Sequence, residues 1–90
     1  MLAESWVSEA KDIVNISPVA LGYTVRLLRA QRRLTQRQFA DLAGFKPQHL
    51  SDIELGRVNP SLRTLDAVAR ALGIRASDLL AEAERYGRQG

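Results

Sequence analysis

Cysteine is absent from this chain of 90 residues. No disulfide framework and no thiolate metal site can be built from it. The lack of cysteine is compatible with a reducing compartment. Long apolar runs are absent too. None approaches the ~18 residues that a bilayer-spanning helix needs, so no membrane partner is expected. The opening stretch, MLAESWVSEAKD, carries acids and has no extended apolar centre, unlike a secretory signal. Histidine occurs once, as His49, and a lone imidazole makes no metal site without carboxylates arranged around it. Strand signals are missing: no period of two is sustained, and β-branched residues are few. There is no internal repeat and no low-complexity tract.

Acidic residues are unevenly scarce. None lies between Asp12 and Asp41, an interval that holds Arg26, Arg29, Arg32, Arg33 and Arg37. The ends are mildly acidic, with Glu4, Glu9 and Asp12 on one side and Asp78, Glu82 and Glu84 on the other. The formal net charge is only +3, but a basic centre between acidic ends suggests an anionic partner at the centre. The cations are mostly arginine, with Lys11 and Lys46 the only lysines. Arginine offers forked donors suited to phosphate and guanine.

What is present is helical spacing. The stretch TQRQFADLAGFKPQHLSDIELGRVN, Thr35 to Asn59, reads as helix, tight turn, helix. Thr35 caps the first helix and Gln38 returns the bond, a capping box. Phe39, Ala40 and Ala43 share one face. Gly44 stands where a helix stop needs a left-handed backbone. Pro47 opens the second helix, at a position that needs no N–H. Leu50, Ile53 and Glu54 fall on its inner side, and Gly56 ends it. The outer side carries Lys46, Gln48, His49, Ser51 and Asp52. Two short helices joined this way make a helix-turn-helix, whose second helix can enter a DNA major groove.

Around this unit, residues 4–14 are expected to form a short helix capped by Ser5, with Trp6, Ala10 and Ile13 on one face. Trp6 is expected to pack on the domain or on a dimer mate. Ser17 and Pro18 open a helix over residues 18–33 with Leu21, Val25 and Leu28 as its buried stripe. Gly22 inside it costs about 1 kcal/mol relative to alanine. Ser61 caps a helix over residues 62–72, whose core face is Leu62, Leu65, Val68, Ala69 and Leu72; Gly73 stops it. A last helix over residues 76–86 carries Leu79, Leu80 and Ala83, and the final GRQG is expected to fray. The expected organisation is an N-terminal extension over 1–16, a DNA-binding domain over 17–80, and the end of the last helix with a tail over 81–90.

These residues, from Ser17 to Leu80, resemble the Cro/phage-repressor (lambda-repressor-like) type of helix-turn-helix domain. The matching positions are Arg29, Leu34-Thr35-Gln36, Phe39-Ala40, Ala43-Gly44, Leu50-Ser51, Ile53 through Arg57, Asn59-Pro60-Ser61, Leu65, Val68-Ala69 and Leu72-Gly73-Ile74. The resemblance implies an all-α, five-helix fold, here with a short extra N-terminal helix. It implies a transcriptional regulator of repressor or restriction-modification controller type, bacterial or from a phage, cytoplasmic and nucleoid-associated, binding double-stranded DNA as a homodimer on a near-palindromic operator.

Carried over by position, Gln48, His49, Lys46 and Asp52 are the expected base contacts. Gln36, Arg37, Ser51, Arg57 and Asn59 are the expected phosphate contacts, with Gln36 alternatively meeting a side chain of the second helix of the motif. Arg29 and Glu54 match a structural ion pair. Pro47 departs from the Gln or Ser common in relatives. Asp52 is acidic at a base-facing place, where it would accept from a cytosine amino group, repel phosphate, or neutralise His49 one turn away. The dimer surface is expected at Leu79, Leu80 and Ala83, helped by Trp6, unless those residues finish the core instead. His49 with Asp52 lacks the nucleophile and pocket that a catalytic dyad needs, so no catalytic role, cofactor, metal or small-molecule ligand is expected. The competing reading is an antitoxin-type interaction protein that binds a partner through residues 1–16 or 81–90 and regulates its own gene.

Overall fold

A computed structural model describes residues 16–89; the expected helix over residues 4–14, including Trp6, lies outside them. Five helices occur among the described residues: α1 (Pro18–Gln31), α2 (Gln36–Ala43), α3 (Pro47–Glu54), α4 (Leu62–Leu72) and α5 (Ala76–Gln89). None is long and apolar enough to cross a membrane.

The helix starts follow the expected chemistry. Ser17 Oγ accepts from the Ala20 N–H at 3.0 Å, with Pro18 at the first helical position. Thr35 and Gln38 form both halves of the capping box, at 3.0 and 2.9 Å. Ser61 Oγ accepts from the Thr64 N–H at 3.1 Å. Each bond satisfies a donor that the helix itself cannot.

The stops differ in two places. α1 ends at Gln31 rather than at residue 33, because Arg33 adopts a left-handed φ of 57° and the chain turns there. The Leu34 N–H closes that turn on the Arg29 carbonyl at 3.4 Å. At the other end α5 continues to Gln89, past the expected stop at 86 and into the expected frayed tail.

One core joins the helices. Val25 from α1, Phe39 and Ala40 from α2, Leu50 and Ile53 from α3, Val68 and Ala69 from α4, and Leu79 and Ala83 from α5 are all buried in it. Thr24 is buried among them and satisfies its hydroxyl by donating to the Ala20 carbonyl at 2.8 Å. Leu62, expected in the core, is instead 82% exposed. Helical side chains lean toward the N-terminus, so a residue at the first position of α4 leans off the end of the helix. Leu65, one turn later, is the first to reach the interior.

The expected dimer surface needs a larger correction. Leu79 and Ala83 are fully enclosed by this chain's own core, and Leu80 packs half-buried against it. The apolar stripe of α5 is consumed within the chain.

α1 crosses α3 closely at Gly22, which is buried. A Cβ there would stand 2.3 Å from the Ile53 carbonyl oxygen and 2.6 Å from that of Glu54. The glycine inside α1 is therefore the point where the backbone of α3 comes nearest.

Candidate nucleic-acid interface

The turn between α2 and α3 is set by Gly44, at φ 81° in the left-handed region. The Phe45 N–H reaches back to the Ala40 carbonyl at 2.8 Å and closes it. α3 then begins at Pro47 without a side-chain cap, since Lys46 makes none. Its Leu50, Ile53 and Glu54 are buried, as their spacing of three and four requires.

Glu54 is the fastener of the site. Its Oε2 accepts from Arg29 Nε at 2.6 Å, and its Oε1 accepts from Arg29 Nη2 at 3.0 Å and from Gln36 Nε2 at 2.9 Å. Arg29 also donates to the Leu34 carbonyl at 2.7 Å. The side chains of Arg29 and Glu54 are 13% and 2% exposed, so this is an enclosed, two-pronged pair with its acceptors filled. It ties α1, the start of α2 and the end of α3 together. Gln36, counted among the phosphate contacts, is held here by Glu54 and takes the other expected role, contact with a side chain of α3. Its position at the mouth of α2 explains this: it faces the carboxylate that Arg29 also needs.

The outward side of α3 is polar and ordered. Lys46, Gln48 and His49 are exposed, and Ser51 and Asp52 are partly so. Gln48 Nε2 donates to Asp52 Oδ1 at 3.1 Å. Asp52 also faces Arg57, whose guanidinium lies 3.7 Å from the same oxygen. The Arg57 N–H donates to the Asp52 carbonyl at 2.9 Å. His49 packs edge-to-face with Phe45, with ring centroids 5.0 Å apart. Asp52 therefore does not neutralise His49, as one of the sequence alternatives had it; it is occupied by Gln48 and Arg57. Arg37, within α2, and Asn59, in the loop after α3, are exposed.

Two partnerships escaped the sequence reading. Arg32, counted in the acid-free basic interval, donates its Nε to the Leu72 carbonyl at 2.9 Å and its Nη1 to the Leu28 carbonyl at 2.9 Å. It serves the end of α4, where carbonyls lack helical partners. Phe45, in the turn before α3, buttresses His49; lying outside the helix, it offered no helical-spacing signal.

A capped first helix, a left-handed glycine and a second helix with an anchored inner face are the parts of one motif. The helix-turn-helix family model matches residues 25–79, more than half of the chain. The chain belongs to the helix-turn-helix family, in its Cro/phage-repressor type. The motif of this helix-turn-helix is α2, the Gly44 turn and α3. Its similarities include the immunity repressor protein of Bacillus phage phi105, 45% identical over 64 residues that cover 71% of this chain and 44% of the relative. The HTH-type transcriptional regulator DdrOP3 of Deinococcus deserti is 45% identical over 65 residues, 72% of this chain and 50% of its own. The chain thus spans about half the length of these curated relatives.

Among solved structures, the clp gene regulator ClgR from Corynebacterium glutamicum superposes with a TM-score of 0.76 at 35% identity, covering 80% of this chain and 77% of that one. The restriction-modification controller protein C.AhdI from Aeromonas hydrophila superposes with a TM-score of 0.67 at 32% identity, covering 69% and 94%.

Proposed function

We propose that this helix-turn-helix is a sequence-specific regulator of transcription that binds double-stranded DNA as a homodimer. One observation carries the reading: α3 buries Leu50, Ile53 and Glu54 while Lys46, Gln48 and His49 stand outside. A helix held by one face and hydrophilic on the other is what a major groove accepts. The names of the phage repressor, of ClgR and of C.AhdI support it, since each is called a repressor, regulator or controller.

In this reading the affinity comes mainly from phosphate contacts and the choice of site from base edges. Arg37, Ser51, Arg57 and Asn59 face the backbone; Gln48, His49 and Lys46 face the bases. On α3, His49 leans on Phe45, while Asp52 accepts from Gln48 and lies 3.7 Å from the Arg57 guanidinium. Two copies would place their α3 helices about one DNA turn, ~34 Å, apart.

The test is selection from duplexes with a randomised centre, followed by fluorescence anisotropy on the selected duplex and on a scrambled one. Gln48→Ala is expected to weaken the selected duplex by about tenfold or more and to leave the scrambled one nearly unchanged. Equal losses on both would remove Gln48 from base readout. Sedimentation that finds only monomer, with and without the selected duplex, would remove the homodimer.

A further inference from the structure

We infer that Asp52 sets the base preference of Gln48, making it select adenine over guanine without touching a base itself. The inference rests on the reading of α3 as the base-facing helix and deepens it.

A glutamine amide is nearly symmetric in shape but not in chemistry. One end has two N–H donors and the other a single acceptor oxygen. A free Gln side chain can turn either end toward a base edge, and it can also offer both N–H groups together. Adenine presents an acceptor, N7, beside a donor, the N6 amino group; guanine presents two acceptors, N7 and O6. An untethered glutamine can serve both.

Gln48 is tethered. Its Nε2 donates to Asp52 Oδ1 at 3.1 Å, one helical turn along the same face of α3. An ionised carboxylate only accepts, so the nitrogen end of the amide must point at it and the flip is decided by chemistry. One N–H is consumed. With the carboxylate taking the N–H that lies away from the amide oxygen, what remains for the groove is the N–H beside that oxygen, a donor next to an acceptor. That pair complements adenine. Against guanine it satisfies one acceptor and sets the amide oxygen against the other.

Asp52 is itself held in place. The Arg57 N–H fixes its backbone carbonyl at 2.9 Å, and the Arg57 guanidinium stands 3.7 Å from its carboxylate. The nearby cation also offsets a negative charge that would otherwise face the phosphates. Asp52 is thus a positioning residue that acts through Gln48. This differs from each role its sequence place suggested, since it neither pairs with His49 nor needs to reach a cytosine.

The experiment is selection of bound duplexes from a library with a randomised centre, using the full chain as wild type, Gln48→Ala and Asp52→Asn. Asparagine preserves size but offers Gln48 either a donor or an acceptor, so the flip is released. In the wild type one position is expected to favour adenine over guanine by about tenfold, a preference that Gln48→Ala abolishes. In Asp52→Asn the ratio at that position is expected to fall by about fivefold, with other positions unchanged. If the ratio is unaltered, the inference is overturned while the DNA-binding reading stands. If Gln48→Ala leaves every base preference intact, the inference also falls. If the wild type binds no duplex selectively, the reading and the inference fall together. Asp52→Ala, which has nothing to accept the amide, must show the same loss and guards against a folding defect peculiar to Asp52→Asn.

Discussion

A single missing methyl group decides how near α1 and α3 can lie. At Gly22 a Cβ would collide with the Ile53 and Glu54 carbonyl oxygens, at 2.3 and 2.6 Å, and both belong to backbone that cannot rotate away. Gly22→Ala is therefore expected to destabilise the domain by about 1–3 kcal/mol, the usual cost of overpacking, although alanine is the better helix former. Urea denaturation checks it; a gain in stability would show that the crossing can open. The sequence marks Gly22 as costly within a helix, but the neighbour that justifies it is some thirty positions away and invisible to local spacing.

Arg33 is the converse. It holds a left-handed φ of 57° that disfavours side chains, at a place the spacing reads as helix. Arg33→Gly should raise stability by about 0.5–1 kcal/mol, the relief of that conformation less the extra freedom of unfolded glycine, visible as a higher midpoint of thermal melting.

At the scale of the element, starts and turns were the most readable parts. Ser17, Thr35, Ser61 and the glycines at 44 and 73 act through local backbone chemistry, which a sequence carries in full. Apolar stripes were less readable. A stripe says that a face is covered but not by what, so Leu79 and Ala83 could suggest a partner although this chain's own core already encloses them. Arginines were read least well, because Arg32 and a free surface arginine look identical until the carbonyls of Leu28 and Leu72 are near.

The start of α5 offers a test by pH. Asp78 accepts from the Arg75 side chain at 3.2 Å and from the Arg75 N–H at 3.3 Å. These bonds, the side-chain one foremost, hold its carboxyl below the ordinary value of 3.8, with a small opposing effect of desolvation. Because the folded state binds that proton less readily, the stabilisation is present above 3.8 and fades as pH falls through the lower folded value. Asp78→Asn is expected to lose stability relative to wild type at neutral pH and to match it in strong acid. Chemical denaturation at both pH values measures this; an equal deficit at both would assign the effect to shape rather than charge.

For the whole molecule, charge matters more as a pattern than as a sum. Arg26, Arg33, Arg37 and Lys46 make no ion pair among the described residues and are exposed, whereas Arg29 is enclosed. The acid-free interval thus overstates the cations available to an anionic partner. Arg57 keeps its side chain 65% exposed and only loosely faces Asp52. Arg57→Ala should lower the slope of log affinity against log salt by about one, measured by anisotropy at several ionic strengths; an unchanged slope would place Arg57 off the phosphates. The class of fold was legible because helix starts, stops and an inner face agree over two thirds of the chain. The surface where two copies would meet was not, since the stripe read for it includes Leu79 and Ala83, which lie in this chain's own core.

The carboxylate of Glu54 takes donors from two other parts of the frame, Arg29 and Gln36, through both of its oxygens. α3 is thus fastened through the enclosed Arg29–Glu54 pair and the part-buried Gln36, while Lys46, Gln48 and His49 on its outer side stay exposed. In the proposed reading, aim and alphabet sit on opposite sides of one short rod. A lineage can rewrite the second without disturbing the first, so new addresses can arise on an unchanged chassis.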